Sequence, residues 1–215
     1  MNKAVIFDLD GTILDTFPDI YINIDKMLRH FGYPAVGKDT LRRYIGNGAR
    51  ELVRRSLGVD AEDGAIAECL DYYNKNYTLT ATENTVIFDG MEEVFATLSG
   101  RGYKLAVLTN KPQVSTDRIM DIFFRRGTFA EIVGGGANVK CKPDKTETLN
   151  ILSRLGVAAE DAYFVGDGET DVMTALNAGV RGVAVLWGYR TKEELTAAGA
   201  KIFAKTPADL LKIID

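Results

Sequence analysis

The chain has 215 residues, which is enough for one sizeable domain or for a domain that carries a small insertion. Hydrophobic residues make up 46% and charged residues 26%, the balance of an ordinary globular protein. The net charge of −4 comes without a basic block, and no apolar run approaches the ~20 residues of a membrane span. These features argue against a nucleic-acid partner and against a membrane protein.

The first strand pattern of the chain ends in two acidic residues. Ala4 to Phe7 form a short apolar run typical of a buried strand, and Asp8 and Asp10 follow it before Gly11 breaks the strand. Two carboxylates this close resist joint ionisation unless they share a proton or bind a cation. A strand end followed by a solvated turn would leave the same pattern, so the rest of the chain must decide between the two interpretations.

The stretch from Asp15 to about Thr85 has a helical pattern throughout. Ile20, Ile24, Met27 and Leu28 recur at the spacing of an amphipathic helix, and three further helices are predicted before Thr85. No convincing strand interrupts them. The sequence therefore predicts a helical segment, residues 16–85, inserted into a unit made of residues 1–15 and 86–215.

After this segment, predicted strands and helices alternate to the end of the chain. Strands are predicted at residues 104–108, 131–133, 162–165, 182–186 and 201–203, with amphipathic helices between them. This alternation is typical of βαβ units, so the predicted fold class is α/β, a three-layer structure with a mainly parallel sheet covered on both faces.

Ligands of such sheets bind outside the carboxyl ends of the strands. Several polar residues follow the predicted strands or the glycine-rich turn after the strand at 131–133. They are Asp8, Asp10, Thr109, Asn110, Lys142, Asp167 and Asp171. They come from separate stretches of the chain but are expected to meet at one edge of the sheet.

The acids of this set favour a hard cation and a phosphorylated ligand. Four clustered carboxylates need a counter-charge, and Mg²⁺ prefers oxygen ligands and substrate phosphate. The absence of a histidine or cysteine cluster argues against zinc. The Thr109 hydroxyl and the Lys142 ammonium could donate to phosphate oxygens, and an aspartate can act as the nucleophile in phosphoryl transfer.

Four motifs in this order resemble the haloacid dehalogenase superfamily of Mg²⁺-dependent phosphohydrolases. They are Asp8 to Thr12 (DLDGT), Leu108 to Pro112 (LTNKP), Lys142-Pro143 and Gly166 to Asp171 (GDGETD). The resemblance covers nearly the whole chain and is nearest to the phosphoglycolate phosphatase branch. It implies a Rossmann-like core with an inserted helical cap of the C1 type that closes over a small phosphorylated substrate.

The resemblance also implies roles for individual residues. Asp8 would be the nucleophile, and Asp10 would be the general acid and base. Thr109, Asn110 and Lys142 would bind the transferring phosphoryl group. The enzyme would be a phosphoric monoester hydrolase acting through an aspartyl-phosphate, in the cytoplasm, as a monomer or homodimer.

The metal implied by the resemblance is Mg²⁺. Asp8 and Asp167 would bind it, Asp171 would bind it or anchor its water ligands, and Asp10 would contribute its backbone carbonyl. The chain departs from the family pattern at Gly168, where a serine is common, and at Cys141, where a glycine is usual. Neither departure removes a residue expected to touch the metal or substrate. Cys141 itself is expected to be a small buried residue.

Substrate selection is expected to depend on the helical segment. Gly46, Asn47 and Gly48 form a turn between two of its predicted helices, and Arg50 follows it. An arginine there could bind a remote carboxylate or phosphate group of the substrate in a bidentate manner. It could equally be a surface arginine of a helix, and the sequence leaves the two interpretations open.

Other functions remain compatible with the same residues. A phosphomutase of the β-phosphoglucomutase type or an inorganic pyrophosphatase would use the same core. A regulatory or interaction protein on this fold would have no use for the acids, because buried paired charges lower stability unless they are used. A haloacid dehalogenase proper would not need Asp167.

Overall fold

The computed structural model describes residues 2–58 and 60–215 as eight strands, ten α-helices and one short 3-10 turn. The strands are β1 (Lys3–Phe7), β2 (Leu14–Asp15), β3 (Val86–Ile87), β4 (Tyr103–Pro112), β5 (Glu131–Gly135), β6 (Ala162–Gly166), β7 (Arg181–Val185) and β8 (Phe203–Ala204). The helices are α1 (Phe17–His30), α2 (Lys38–Tyr44), α3 (Ala49–Leu57), α4 (Asp63–Thr80), α5 (Met91–Gly100), α6 (Gln113–Phe123), α7 (Thr146–Leu155), α8 (Glu169–Ala178), α9 (Lys192–Ala197) and α10 (Pro207–Ile213).

Six strands form one parallel sheet in the order β5-β4-β1-β6-β7-β8. Side chains on one face of β1, such as Val5 and Phe7, belong to the larger apolar cluster, while Ala4 and Ile6 face a second cluster formed with α7 and α8. A parallel strand buried on both faces must be apolar throughout. The α/β, Rossmann-like fold class is therefore confirmed.

The helices α1 to α4 follow one another between the short strands β2 and β3. These two strands pair antiparallel, with Leu14 opposite Ile87 and Asp15 opposite Val86, so the chain leaves the sheet and returns to it side by side. Apart from these two-residue strands, the described residues from 16 to 85 contain no strand, as the helical pattern predicts. Every helix in the described residues is too short or too polar to span a bilayer.

The strand β4 is longer than its predicted span of residues 104–108. It continues through Thr109, Asn110 and Lys111 to Pro112, which pairs with Gly135 of β5, and its register shifts between Leu108 and Pro112. Such an irregularity changes the direction of the side chains next to it. The polar residues predicted to follow this strand therefore lie within its last four residues.

The buried carboxylate of Asp19 joins the first turn of α1 to the end of the helical segment. The backbone N–H groups of Asn84 and Thr85 donate to it at 3.0 and 2.8 Å, and the Asn84 side-chain amide donates at 2.8 Å. Asp19 is 1% exposed. These contacts lie beside the β2–β3 pair. They hold together the two connections of the helical segment, one before α1 and one after α4.

We expect Asp19→Ala to lower the free energy of unfolding by about 3 kcal/mol, because the buried N–H and the buried hydroxyl of Thr85 both lose their acceptor. Urea unfolding measures the change. Asp25→Ala on the same helix is the control: its ion pair with Arg29 lies at the surface and contributes about 0.5 kcal/mol or less. Equal losses in the two variants would contradict the role given to Asp19.

Candidate active site

Three carboxylates meet at the carboxyl edge of the sheet, two of them directly after neighbouring strands and the third on the following helix. Asp8 follows β1 directly, and its N–H continues the pairing by donating to the Val165 carbonyl of β6 at 2.9 Å. Asp167 follows β6, and Asp171 lies in the first turn of α8. One oxygen from each of Asp8, Asp167 and Asp171 lies within 4.8 Å of the others, and all three residues are buried.

The ammonium of Lys142 lies between two of these acids. Its Nζ is 2.6 Å from Asp171 Oδ1 and 2.7 Å from Asp8 Oδ1, and its side chain is 2% exposed. The contact with Asp8 has an ion-pair distance without hydrogen-bond geometry, so Asp8 Oδ1 has no hydrogen-bond donor among the described residues. One cation thus faces three buried acids, which leaves the cluster short of positive charge.

Burial and mutual repulsion change the pKa values of this cluster. Burial, followed by the charge of Asp171, raises the pKa of Asp8 to about 7. The same two causes raise the pKa of Asp167 to about 8. Burial alone would lower the pKa of Lys142, but the carboxylates of Asp171 and Asp8 raise it overall. The cluster is a buried site in which added positive charge would be favourable.

The carboxylate of Asp167 is held by two donors. Thr12 Oγ1 donates to its Oδ1 at 3.1 Å, and the Tyr189 N–H donates to its Oδ2 at 2.7 Å. Gly188 passes so close that a Cβ placed there would lie 2.2 Å from Asp167 Cβ. The loop after β7 therefore requires glycine at this position to fix the direction of Asp167.

The side chain of Asp10 lies apart from the three acids. Lys111 Nζ is 2.7 and 3.0 Å from its two oxygens, and Thr16 Oγ1 donates to Oδ1 at 2.7 Å. Lys111 had no role in the sequence prediction, although it belongs to the LTNKP motif. A usable signal was its spacing: on a strand that continues past Leu108, Thr109 and Lys111 share one face.

Asn110 connects the sheet edge to two loops. Its side-chain amide donates to the Lys142 carbonyl at 3.1 Å and to the Gly46 carbonyl at 2.9 Å, while its Oδ1 accepts from the Lys142 N–H at 2.8 Å. Thr109 is buried, and its Oγ1 accepts from the Lys111 N–H at 3.2 Å. The threonine hydroxyl hydrogen thus stays available to an acceptor in the site.

A cavity lies between the sheet edge and the helices α1, α3 and α4. Its lining includes Asp8, Asp10, Gly46, Gly48, Tyr73, Tyr77, Thr109, Asn110, Lys111, Asp167, Asp171 and Arg190. Gly46 and Gly48 have φ values of 118° and 86°, in the region that favours glycine, so this loop conformation requires both. Of the predicted specificity residues, these two line the cavity.

Asn47 and Arg50 do not line the cavity. Asn47 is exposed, and the guanidinium of Arg50 pairs with Asp63 Oδ1 at 2.6 Å on the surface. The prediction that Cys141 is buried is wrong: its side chain is exposed, because the loop that carries it turns only Lys142 inward.

A second missed residue, Arg190, follows β7 and is buried. Its Nε donates to Glu169 Oε2 at 2.7 Å, and its terminal nitrogens donate to the carbonyls of Arg42, Arg43 and Ile45 at 2.9, 3.2 and 2.8 Å. These carbonyls lie at the end of α2 and just after it. Arg190 therefore fixes the glycine loop of the helical segment over the sheet edge.

Comparison with known proteins agrees with this geometry. The family model described as haloacid dehalogenase-like hydrolase matches residues 5–185. Phosphoglycolate phosphatase 1 of Pseudomonas aeruginosa is 33% identical over 224 residues, which cover 100% of this chain and 80% of the relative. Phosphoglycolate phosphatase of Aquifex aeolicus is 32% identical over 213 residues, which cover 99% of this chain and 97% of the relative.

Solved structures show the same fold. A predicted phosphatase from Clostridium acetobutylicum superposes with a TM-score of 0.87 at 26% identity, covering 100% of this chain and 99% of that one. CbbY from Rhodobacter sphaeroides, solved in complex with phosphate, superposes with a TM-score of 0.81 at 22% identity, covering 98% of this chain and 96% of that one.

Proposed function

Because this chain belongs to the haloacid dehalogenase-like hydrolases and is a phosphoric monoester hydrolase, we propose that it hydrolyses a small metabolite of the 2-phosphoglycolate type with Mg²⁺. The observation that carries the proposal is the position of Lys142 Nζ within 2.7 Å of both Asp8 and Asp171, two of the three clustered acids that line the cavity. The substrate class is inferred from the relatives named phosphoglycolate phosphatase.

The donor set fits Mg²⁺. Asp8, Asp167 and Asp171 offer oxygen atoms only, Asp8 Oδ1 lacks a hydrogen-bond donor among the described residues, and the raised pKa values indicate a deficit of positive charge. We assign these three side chains, with the backbone carbonyl of Asp10, as the residues that would hold the ion. When bound, Mg²⁺ would neutralise charge on the phosphoryl oxygens.

Asp8 is the proposed nucleophile. Its carboxylate attacks phosphorus, the bond from phosphorus to the ester oxygen breaks, and Asp10 gives that oxygen a proton, which yields an aspartyl-phosphate and an alcohol. Asp10 then takes a proton from water, the water oxygen attacks phosphorus, and the bond to Asp8 breaks. Phosphate leaves, and both carboxyl groups return to their starting states.

The remaining residues bind and position the phosphoryl group. The Thr109 hydroxyl can donate to a phosphoryl oxygen because its oxygen already accepts the Lys111 N–H. Lys142 supplies an ammonium next to the nucleophile. The amide of Asn110 is occupied by backbone groups of Lys142 and Gly46, so we assign it to positioning that lysine beside the phosphoryl group.

The helical segment of residues 16–85 is the proposed cap of a core made of residues 1–15 and 86–215. Closure over the substrate would exclude water and bring Gly46 and Gly48 against it. Asn47 and Arg50 could reach the substrate only if the loop moved, because the Arg50 guanidinium is paired with Asp63 at the surface. We further propose a cytoplasmic monomer or homodimer.

The test is phosphate release from 2-phosphoglycolate, sugar phosphates, pyrophosphate and nucleotides, each with Mg²⁺ and with EDTA. We expect fast, EDTA-sensitive release from 2-phosphoglycolate. Release from pyrophosphate in preference to esters would indicate a pyrophosphatase. Conversion of a sugar phosphate to its isomer without free phosphate would indicate a phosphomutase.

A further inference from the structure

The ammonium of Lys111 faces the cavity while its side chain is 4% exposed. It lies 2.7 and 3.0 Å from the two oxygens of Asp10 and 4.7 Å from the centroid of the Tyr77 ring. A buried ammonium needs an anionic partner. In this structure that partner is the carboxylate of Asp10, the residue proposed as the general acid and base.

Arg190, a second cation of the cavity lining, is bound differently. Its Nε and both terminal nitrogens already donate to Glu169 and to three backbone carbonyls at the end of α2 and just after it. The hydrogen-bond acceptors of Lys111 Nζ within the described residues are the oxygens of Asp10. Asp10 would keep the Thr16 hydroxyl as a donor if Lys111 turned to another anion.

Tyr77 gives an independent indication of a ligand at this place. Its side chain lines the cavity from α4, and the ring stacks on Tyr73 at a centroid distance of 5.2 Å. Its buried hydroxyl has no hydrogen-bond partner in the part of the chain that the structure describes. An unpartnered buried hydroxyl is unfavourable, and a ligand acceptor would remove that cost.

We propose that Lys111 and Tyr77 bind the carboxylate of the substrate, so that the enzyme selects phosphate esters of 2-hydroxy acids. This inference rests on the proposed function and names its specificity residues. In such esters the carboxylate is attached to the carbon that carries the ester oxygen. An ester oxygen beside Asp10 therefore brings the carboxylate next to Lys111, which lies 2.7 Å from Asp10.

The experiment compares kcat/KM for 2-phosphoglycolate with that for hydroxyethyl phosphate, in which a neutral CH2OH group replaces the carboxylate. For the wild type we expect a clear preference for 2-phosphoglycolate. Lys111→Met is expected to reduce this ratio about 10- to 100-fold, the loss of one charge-assisted contact, and Tyr77→Phe to reduce it about 10-fold. Lys75→Met, an exposed lysine on α4, should leave the ratio unchanged.

The ratio of the two kcat/KM values distinguishes binding of the carboxylate by Lys111 from an effect of Lys111 on Asp10. If Lys111 only positions Asp10, Lys111→Met slows both substrates equally and the ratio stays as in the wild type, which overturns the inference alone. A wild-type ratio near one overturns the proposed substrate class and the inference together. Tyr77→Phe, which removes only the hydroxyl, decides the matter if Lys111→Met does not fold: an unchanged ratio in this variant overturns the inference.

Discussion

Replacing Asp8 by asparagine is expected to remove turnover, with a fall in kcat of about 10⁴- to 10⁶-fold, the range seen when an enzyme loses one member of its catalytic group. The amide keeps the size of the side chain but cannot attack phosphorus. The fold should persist, because the backbone of Asp8 continues the pairing with β6 through the Val165 carbonyl. Phosphate release with Mg²⁺ measures the rate, and circular dichroism checks the fold.

A direct readout of the intermediate makes this result specific to the nucleophile. After acid quench during turnover, mass spectrometry of the wild type should detect phosphate on the peptide that contains Asp8, and the variant should lack it. Glu160→Gln, an exposed change just before β6, serves as the control and should keep full activity. A pure Asp8→Asn protein that retained more than about 1% of the EDTA-sensitive rate would refute the role of Asp8.

Asp167→Asn is expected to make the metal-free protein more stable at pH 7 to 8 and to abolish stabilisation by Mg²⁺. The folded-state pKa of Asp167 is raised from 3.8 to about 8, so the native carboxyl keeps a proton that the unfolded chain releases. The corresponding stability is present below about pH 4 and is lost as pH rises towards 8. Asparagine does not titrate, so the variant should not show this loss.

Without metal, the expected gain in the free energy of unfolding is about 1–4 kcal/mol. For a chain of this size, each kcal/mol raises Tm by about 2–4 °C. Asparagine can retain the local contacts if its oxygen accepts the Tyr189 N–H and its amide donates to Thr12 Oγ1. Thermal melts across pH, with and without Mg²⁺, measure both effects. For the wild type, Mg²⁺ at about 100 times its Kd should add about 2.7 kcal/mol.

Glu160→Gln removes the same charge from an exposed position and should leave both the pH dependence and the Mg²⁺ response as in the wild type. If Asp167→Asn lowered the metal-free Tm while keeping the Mg²⁺ response, the residue would be a structural acceptor for Thr12 and Tyr189. Its assignment as a metal ligand would then be wrong.

The position of the site at one edge of the sheet could be predicted from the sequence, because it follows from the topology of a parallel sheet. Parallel strands end at a common edge, so Asp8, Asp167 and Lys142 could be expected to meet before any coordinates were known. The helical segment was equally visible, since periodicity distinguishes long helices from strands. Both predictions need only the pattern of residues within each stretch of the chain and one general rule.

Contacts between side chains of distant stretches could not be predicted in this way. The strand pattern of β4 does not say where its pairing stops, so the predicted strand ends at residue 108 and the contact of Lys111 with Asp10 is not predicted. Arg190 is likewise distant in sequence from the carbonyls of α2 that it binds. Arg50 had the right chemistry and neighbours, but the direction of its helix turns it towards Asp63.

The pairing of β2 with β3 has a consequence for how the protein could be altered. Leu14 pairs with Ile87 and Asp15 with Val86, so the two ends of the helical segment lie side by side, whatever the length of the chain between them. Doubling the length of a connection costs only about 0.6 kcal/mol of closure entropy. Segments of other lengths and shapes could therefore be joined at these two short strands without changing the six-stranded sheet, which makes the strands a suitable junction for chimaeras with new specificity.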